Sequence, residues 1–342
     1  MPRPVRPIYQ KGAARFQIDS NAPLLAAVRG RKIKFHALSH GHYPGDRLRP
    51  AQINGLSSVG FWDGAGVQDW GLDLHRNEGV EICFLETGTM EFSLEAKNFE
   101  LHSGHFTITR PWQIHKLGGP NIGPGRLHWS ILDVGVRRPN QEWRWPRWVT
   151  LTEADKAQLT RKLRYNENAV WSASPALAAT FRGLSDCVLQ WKKPLSESRM
   201  ITLLNQLLLE ILIILTQQPS SEDPELVSRR HTVKLFLRDL AKNRVNCQEP
   251  WSLGKMAAHC GMGITAFSKY CRQLANNGPS EYLNQCRLEH AAQQLRESPL
   301  LPVIEIAFEN GFNSSQYFAT VFRQRFRLSP RQYRQREAQR GS

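Results

Sequence analysis

Two segments of this chain, fifty residues apart, repeat one another, and the repeat constrains what the last third of the sequence can fold into. In the first, Met256-Ala257 leads to His259-Cys260-Gly261-Met262, then to Phe267 and, four residues on, Cys271. In the second, Ile306-Ala307 leads to Glu309-Asn310-Gly311-Phe312, then to Phe318 and Phe322, with one extra residue between the glycine and the first aromatic. Two short helices that cross steeply need a small residue where they touch, which Ala257 and Ala307 supply. The turn between them needs a residue that tolerates positive φ, and Gly261 and Gly311 stand four positions later. Met262 and Phe312 follow to plug the space under the turn. Apolar pairs spaced i, i+4 then face inward and leave the opposite face of the next helix outward. The pattern predicts two helix-turn-helix units. Ser252 is placed to cap a helix beginning at Leu253, Ser280 to cap a connecting helix through Leu295, and Pro302 to occupy the first turn of a helix running to Asn310.

The charge agrees with that placement. The formal net charge is +15. From residue 226 onward there are 18 Lys and Arg against 8 Asp and Glu, so about two thirds of the excess lies on one third of the chain. Such a surface attracts polyanions, nucleic acid above all, with a membrane surface as the alternative. A chain of 342 residues with 41% hydrophobic content suits two packed domains. The polar stretch Gln217 to Pro224, with two prolines, reads as a linker. The start of the chain leads into no apolar signal segment, and the longest apolar run, Leu203 to Leu215, is interrupted by Asn205, Gln206 and Glu210. The expectation is a soluble, cytoplasmic protein. Six cysteines without a CxxC pair signal neither a disulfide framework nor a zinc ribbon.

Before the linker, residues 80–132 alternate as strands: Val80, Ile82 and Phe84, then Met90, Phe92 and Leu94 after an expected turn at Glu86-Thr87-Gly88-Thr89, then Phe99 with Leu101 and Phe106 with Ile108. Short antiparallel strands with tight turns imply a sandwich or small barrel. From 152 the pattern is helical, with Thr152 and Ser196 as caps. The helix after Ser196 is apolar on more than one face: Ile201, Leu204, Leu208, Ile211, Leu212 and Leu215 form a stripe with Leu203, Leu207 and Ile214 beside it. The second face either packs on the β-part or forms a subunit interface.

Residues 230–335 resemble the AraC/XylS family of regulators. The likeness is carried by Ile304-Glu305-Ile306-Ala307, Gly311-Phe312, Tyr317-Phe318, Phe322-Arg323 and Ser329-Pro330-Arg331-Gln332-Tyr333-Arg334, and in the first unit by Leu253, Met256-Ala257, Gly261, Phe267-Ser268 and Pro279 to Leu283. The resemblance implies a sequence-specific transcription regulator, more often an activator, that binds double-stranded DNA, responds to a small-molecule effector, forms a homodimer and, as an activator, contacts RNA polymerase. It implies that a first recognition helix, 264–274, presents Thr265, Ser268 and Lys269 to the major groove with Arg272 near phosphate. A second, 314–325, would present Ser315, Gln316, Ala319 and Thr320 with Arg323 near phosphate. These residue types suit contact with base edges, since glutamine matches adenine, lysine donates to guanine, and alanine meets the thymine methyl. The basic run Arg323, Arg325, Arg327, Arg331, Arg334, Arg336 and Arg340 would add phosphate contacts. Asn276 and Arg327 stand where the family has a glycine after each recognition helix. Arginine tolerates the left-handed conformation poorly, so a local difference in the second turn is expected. Cys271 replaces a commonly aromatic residue.

The family also implies a cupin-like barrel ahead of the DNA-binding domain, and Gly104 to His115 resembles part of one. The expected architecture is α+β: an antiparallel β cupin-like barrel at 30–135 and helices at 152–216 forming an effector-sensing and dimerisation domain, a linker at 217–227, an all-α DNA-binding domain at 228–335 and a basic tail at 336–342. His75, Glu81 and His115 raise a metal question, since cupin enzymes bind metal through histidines and a carboxylate. His75 lacks the second histidine of an HxH pair, and no metal or other cofactor is expected. The barrel is left as a small-molecule pocket, a metal site or a purely structural element. No nucleophile motif, P-loop or dinucleotide fingerprint appears, and the chain is read as no enzyme. The rival readings are a metal-dependent cupin enzyme with a DNA-binding appendage and an architectural DNA-binding protein of little sequence preference.

Overall fold

The computed structural model describes residues 8–11, 14–17, 22–41, 43–94, 97–119, 121–136, 141–166, 168–217 and 228–340. The expected linker falls, from 218 onward, outside the described residues. The chain divides into two compact units, the first Met1–Gln10 with Arg15–Val227 and the second Lys11–Ala14 with Ser228–Ser342.

Early in the chain a small ladder pairs β1 (Ile8–Lys11) with β2 (Ala14–Gln17), and α1 (Ala22–Arg29) follows in the first unit. Its main sheet contains β3 (Lys34–Ser39), β4 (Asp46–Arg47), β5 (Leu56–Gly64), β6 (Val80–Leu94), β7 (Lys97–His102), β8 (His105–Thr109), β9 (His115–Leu117), β10 (Gly125–Leu132) and β11 (Val170–Ser172). The hydrogen-bonded order is β11-β8-β6-β10-β5-β3-β4, with β7 and β9 also paired to β6. Among the described residues the path is open. Its end strands, β11 and β4, are three and two residues long and do not pair with each other, and the β3–β4 pair is parallel.

The turn expected at Glu86 to Thr89 is absent, because β6 runs through it. Arg126 pairs with Thr87 and Leu127 with Leu85, which leaves Glu86 as the extra residue of a β-bulge. Gly88 follows at φ 93°, and the strand changes partners: its first half pairs with β8 and β10, its second with β7 and β9. Alternation along β6 divides its side chains between two cores. Ile82 and Phe84 pack toward α2 (Glu153–Arg164), α3 (Pro175–Leu189) and α4 (Ser196–Gln217), while Cys83 and Leu85 join Trp62, Phe92, Leu117, Leu127 and Trp129 on the other side. Phe84 stacks on Phe181 of α3 with ring centroids 5.4 Å apart. Thr152 caps α2 by accepting from the Asp155 amide at 3.1 Å.

By length and composition alone α4 could cross a membrane, but it is a core helix here. Met200, Leu204, Leu207, Leu208, Ile211 and Leu215 are fully buried, and Leu212 and Ile214 nearly so. Packing therefore accounts for both apolar faces noted in the sequence. The large apolar residues that α4 leaves exposed are Leu209 and Ile213, at 37% and 40%.

From Ser228 onward the described residues fold as helices: α5 (Arg229–Lys242), α6 (Arg244–Gln248), α7 (Leu253–His259), α8 (Ile264–Ala275), α9 (Pro279–Glu297), α10 (Val303–Glu309), α11 (Ser315–Phe326) and α12 (Pro330–Arg340). They form two cores. Val233, Phe236, Leu237, Met256, Ala257, Phe267 and Cys271 meet Leu283 and Cys286 from the first half of α9. Ile306, Ala307, Phe312, Phe318, Phe322 and Tyr333 meet Leu288, Ala291, Ala292 and Leu295 from its second half. The residues expected as a basic tail from 336 belong, through Arg340, to α12, since nothing after Pro330 breaks a helix.

Candidate nucleic-acid interface

Each helix-turn-helix unit is closed by the same backbone device. In the first, the Met262 amide donates to the Ala257 carbonyl at 3.1 Å and the Gly261 amide to Ala258 at 2.9 Å; in the second, Phe312 donates to Ala307 at 3.1 Å and Gly311 to Phe308 at 3.0 Å. This six-to-one and five-to-two pairing is a Schellman stop, and it requires a left-handed residue at the glycine. Gly261 and Gly311 have φ of 67° and 79°. The two alanines at the crossing are buried to within 1% of completeness.

The caps follow, with two shifts of position. Ser252 caps α7 through the Lys255 amide at 3.2 Å, and Ser314 caps α11 through the Tyr317 amide at 3.3 Å. Ser280, expected as a cap, lies inside α9, whose cap is Gly278 with Pro279 at the first position. Proline suits that place because its missing N–H has no helical partner there. Pro302 is itself the cap of α10, and the helix ends at Glu309, one residue early.

The buried and outward faces of α8 and α11 divide as the i, i+4 pairs implied. Phe267, Cys271, Phe318 and Phe322 are wholly buried. On the other face of α8, Thr265, Lys269 and Arg272 are exposed and Ser268 half-buried; on α11, Gln316, Thr320 and Arg323 are exposed and Ser315 and Ala319 half-buried. Thr265, Ser268, Lys269 and Arg272 recur at i, i+3, i+4, i+7, and Gln316, Ala319, Thr320 and Arg323 repeat that spacing 51 residues later, so each set forms one stripe. Neither helix contains a carboxylate. Ser314 Oγ donates to the Gln316 amide oxygen at 3.0 Å, and Thr320 Oγ1 to the Gln316 carbonyl at 3.0 Å.

Asn276 and Arg327 end the two helices in the same left-handed conformation, φ 55° and 59°. The local difference expected at Arg327 does not occur: arginine takes the glycine-like geometry, and its amide still bonds the Arg323 carbonyl at 2.9 Å. The basic run divides. Arg325 is paired to Glu289 at 2.9 Å, and Arg334 donates to the carbonyls of Pro299 and Leu301 at 3.0 and 2.6 Å, so both serve the domain's own packing. Arg323, Arg327 and Arg331 are exposed beside α11. Two residues of the outward surface were passed over in the sequence. Ile264, 49% exposed, opens α8 with an apolar side chain where the second unit has Ser315; Tyr317, 50% exposed, accepts from Asn284 Nδ2 at 3.2 Å. Comparing the repeats position by position marks both, because each breaks the likeness of the two units.

Arg287 joins the units. Lying mid-way along α9, it donates to the carbonyls of Cys247 and Glu249 at 3.1 and 2.8 Å. The cysteines of this domain are buried, and burial pushes Cys247 up to about 12 and Cys271 and Cys286 to about 11, so they stay as thiols.

Residues 256–336 match the family model described as a helix-turn-helix domain. The chain is 29% identical over 166 residues to the thermoregulatory protein LcrF of Yersinia pestis, covering 48% of this chain and 58% of that one. It is 31% identical over 130 residues to the transcriptional activator RhaS of Escherichia coli, covering 38% and 44%. The chain thus spans about half the length of these curated relatives. Among solved structures, the unsaturated fatty acid-bound ToxT of Vibrio cholerae aligns over 81% of this chain and 94% of its own, with 13% identity and a TM-score of 0.35. With its duplicated units and their paired stops, the C-terminal region is a helix-turn-helix domain, similar to those of regulators of the AraC type.

Proposed function

We propose that this protein is a sequence-specific, DNA-binding transcription regulator that acts in the cytoplasm, most often as an activator, with RNA polymerase as its partner at the promoter. The observation that carries the reading is the pair of carboxylate-free stripes on α8 and α11, each backed by a buried i, i+4 pair and held on one connecting helix. Lys269, Gln316, Ser268 and Thr320 supply base-edge donors and acceptors, while Arg272 and Arg323 lie a turn later to reach phosphate. The reading includes no catalytic step. A homodimer is supported by Leu209 and Ile213, one turn apart on the outer face of α4.

The test is selection of bound sites from random duplex DNA by the full chain, followed by titration at several salt concentrations. A recovered motif with two half-sites, bound at least about a thousandfold tighter than random sequence, is the expected result. Salt-dependent binding with no recovered motif would assign an architectural role instead.

A further inference from the structure

The strands of the first unit bring together three buried side chains that are distant in sequence. His75 and His115 face each other as an isolated antiparallel bridge, each amide donating to the other's carbonyl, at 2.9 and 3.0 Å. Their rings lie 4.3 Å apart, and Glu81 enters from β6 with Oε2 2.6 Å from His115 Nε2. One ligand atom from each of the three lies within 4.8 Å of the others, and all three residues are buried.

Both imidazoles are oriented the same way. His75 Nδ1 is 2.8 Å from the carbonyl of Asp73 and His115 Nδ1 is 2.9 Å from that of Gln113. A carbonyl only accepts, so each Nδ1 carries its hydrogen and each neutral ring keeps a lone pair on Nε2. Fixing the far nitrogen to a carbonyl in this way sets the tautomer of a ligating histidine. At His115 that lone pair faces a carboxylate oxygen, an arrangement that requires a cation between or on the two groups. A proton serves one such pair. A metal ion serves all three groups at once, and donors bonded to it at about 2.0–2.2 Å would stand about 3 Å apart, within reach of small rotations from the spacing seen.

We propose that His75, Glu81 and His115 bind one divalent first-row transition metal ion. Two imidazoles and one carboxylate favour such an ion over calcium or magnesium, which prefer oxygen. The adjoining cavity, walled by Trp62, Leu72, Leu127 and Trp129, is about 40 Å³. That volume holds water ligands on the open positions of the ion, whereas organic ligands occupy pockets of roughly 300–1,000 Å³. The proposal stands whether or not the second unit reads a specific sequence.

The full chain, stripped with a chelator, is titrated with Co²⁺ and followed by visible absorption, with Zn²⁺ as competitor and metal analysis for stoichiometry. One Co²⁺ per chain is expected, displaced by Zn²⁺ and showing ligand-field bands without thiolate charge transfer. Glu81→Gln and His75→Gln should each weaken binding at least about tenfold while circular dichroism in chelator matches the parent. If one variant fails to fold the other is read; if both fail, the parent spectrum decides. Absence of stoichiometric binding, a thiolate spectrum, or affinity unchanged in a folded variant would each overturn the proposal and leave His115–Glu81 as an ion pair.

Discussion

The guanidinium carbon of Arg287 lies 2.9 Å from the place that a Cβ on Gly311 would occupy, so the turn of the second unit is packed against the residue that grips the first. The Gln248 carbonyl oxygen is equally close. Gly311→Ala therefore combines left-handed strain with displacement of this clamp. Thermal or denaturant unfolding should show a loss of about 2 kcal/mol or more, against about 1–2 kcal/mol for strain alone. A neutral result would mean that Arg287 moves aside freely.

Arg327→Gly tests the same conformation from the opposite side. Arginine holds φ 59° there, which costs it about 1 kcal/mol that glycine does not incur. The variant should gain roughly that amount, less a few tenths for the greater freedom of unfolded glycine. A loss of stability would show that the arginine side chain makes a compensating contact.

Gln316 and Arg323 share a stripe, and the proposed docking gives them different roles, one at a base edge and one at a phosphate. Gln316→Ala should cost about 1–3 kcal/mol on the selected site and relax preference at one or two neighbouring base pairs. Arg323→Ala should weaken all sequences alike and lower the salt slope by about one unit. Binding to single-base variants at several salt concentrations distinguishes them, and exchanged behaviours would reverse the docking.

On α4, Leu208 is fully buried and its neighbour Leu209 is 37% exposed. Leu208→Glu buries a charge in the core and should unfold the first unit. Leu209→Glu with Ile213→Glu should leave circular dichroism intact and shift sedimentation from dimer to monomer. A folded dimer carrying both outer changes would take α4 out of the subunit interface.

His128 supplies a pH dependence. Burial pushes its imidazole below the ordinary value of 6.5, against the pull of Glu86, whose carboxylate accepts from Nε2 at 2.8 Å. Burial would raise the Glu86 pKa, but His128, Arg182 and Arg126 outweigh it and hold the group ionised. The folded state thus resists protonation of His128, while the unfolded chain accepts the proton below pH 6.5. Stability should fall as the pH drops through that value, and His128→Gln should remove that part of the slope. Parallel pH dependence in parent and variant would assign the slope elsewhere.

The second unit was legible because its constraints are local. The glycines, the crossing alanines and the i, i+4 aromatics act within a few residues, and each stands where the chain alone places it. Arg327 misled because propensity argues against the left-handed conformation that the end of α11 imposes. In the first unit the decisive relations are long-range. The bulge at Glu86 turns an expected hairpin into one bent strand, and nothing in the local pattern distinguishes the two. His75 and His115 meet only because β9 returns to β6, so forty residues of sequence hid their contact. The partition of α4 into buried Leu208 and exposed Leu209 likewise depends on where α2 and α3 lie.

The two helix-turn-helix units share α9 but no core. Damage to one hydrophobic cluster therefore need not propagate to the other, and each recognition surface is free to drift under its own selection. At about 1.5 Å per residue, nineteen residues make a beam of roughly 28 Å. On the proposed docking, such a domain can acquire a new half-site one foot at a time, keeping its stride while it changes what each foot stands on.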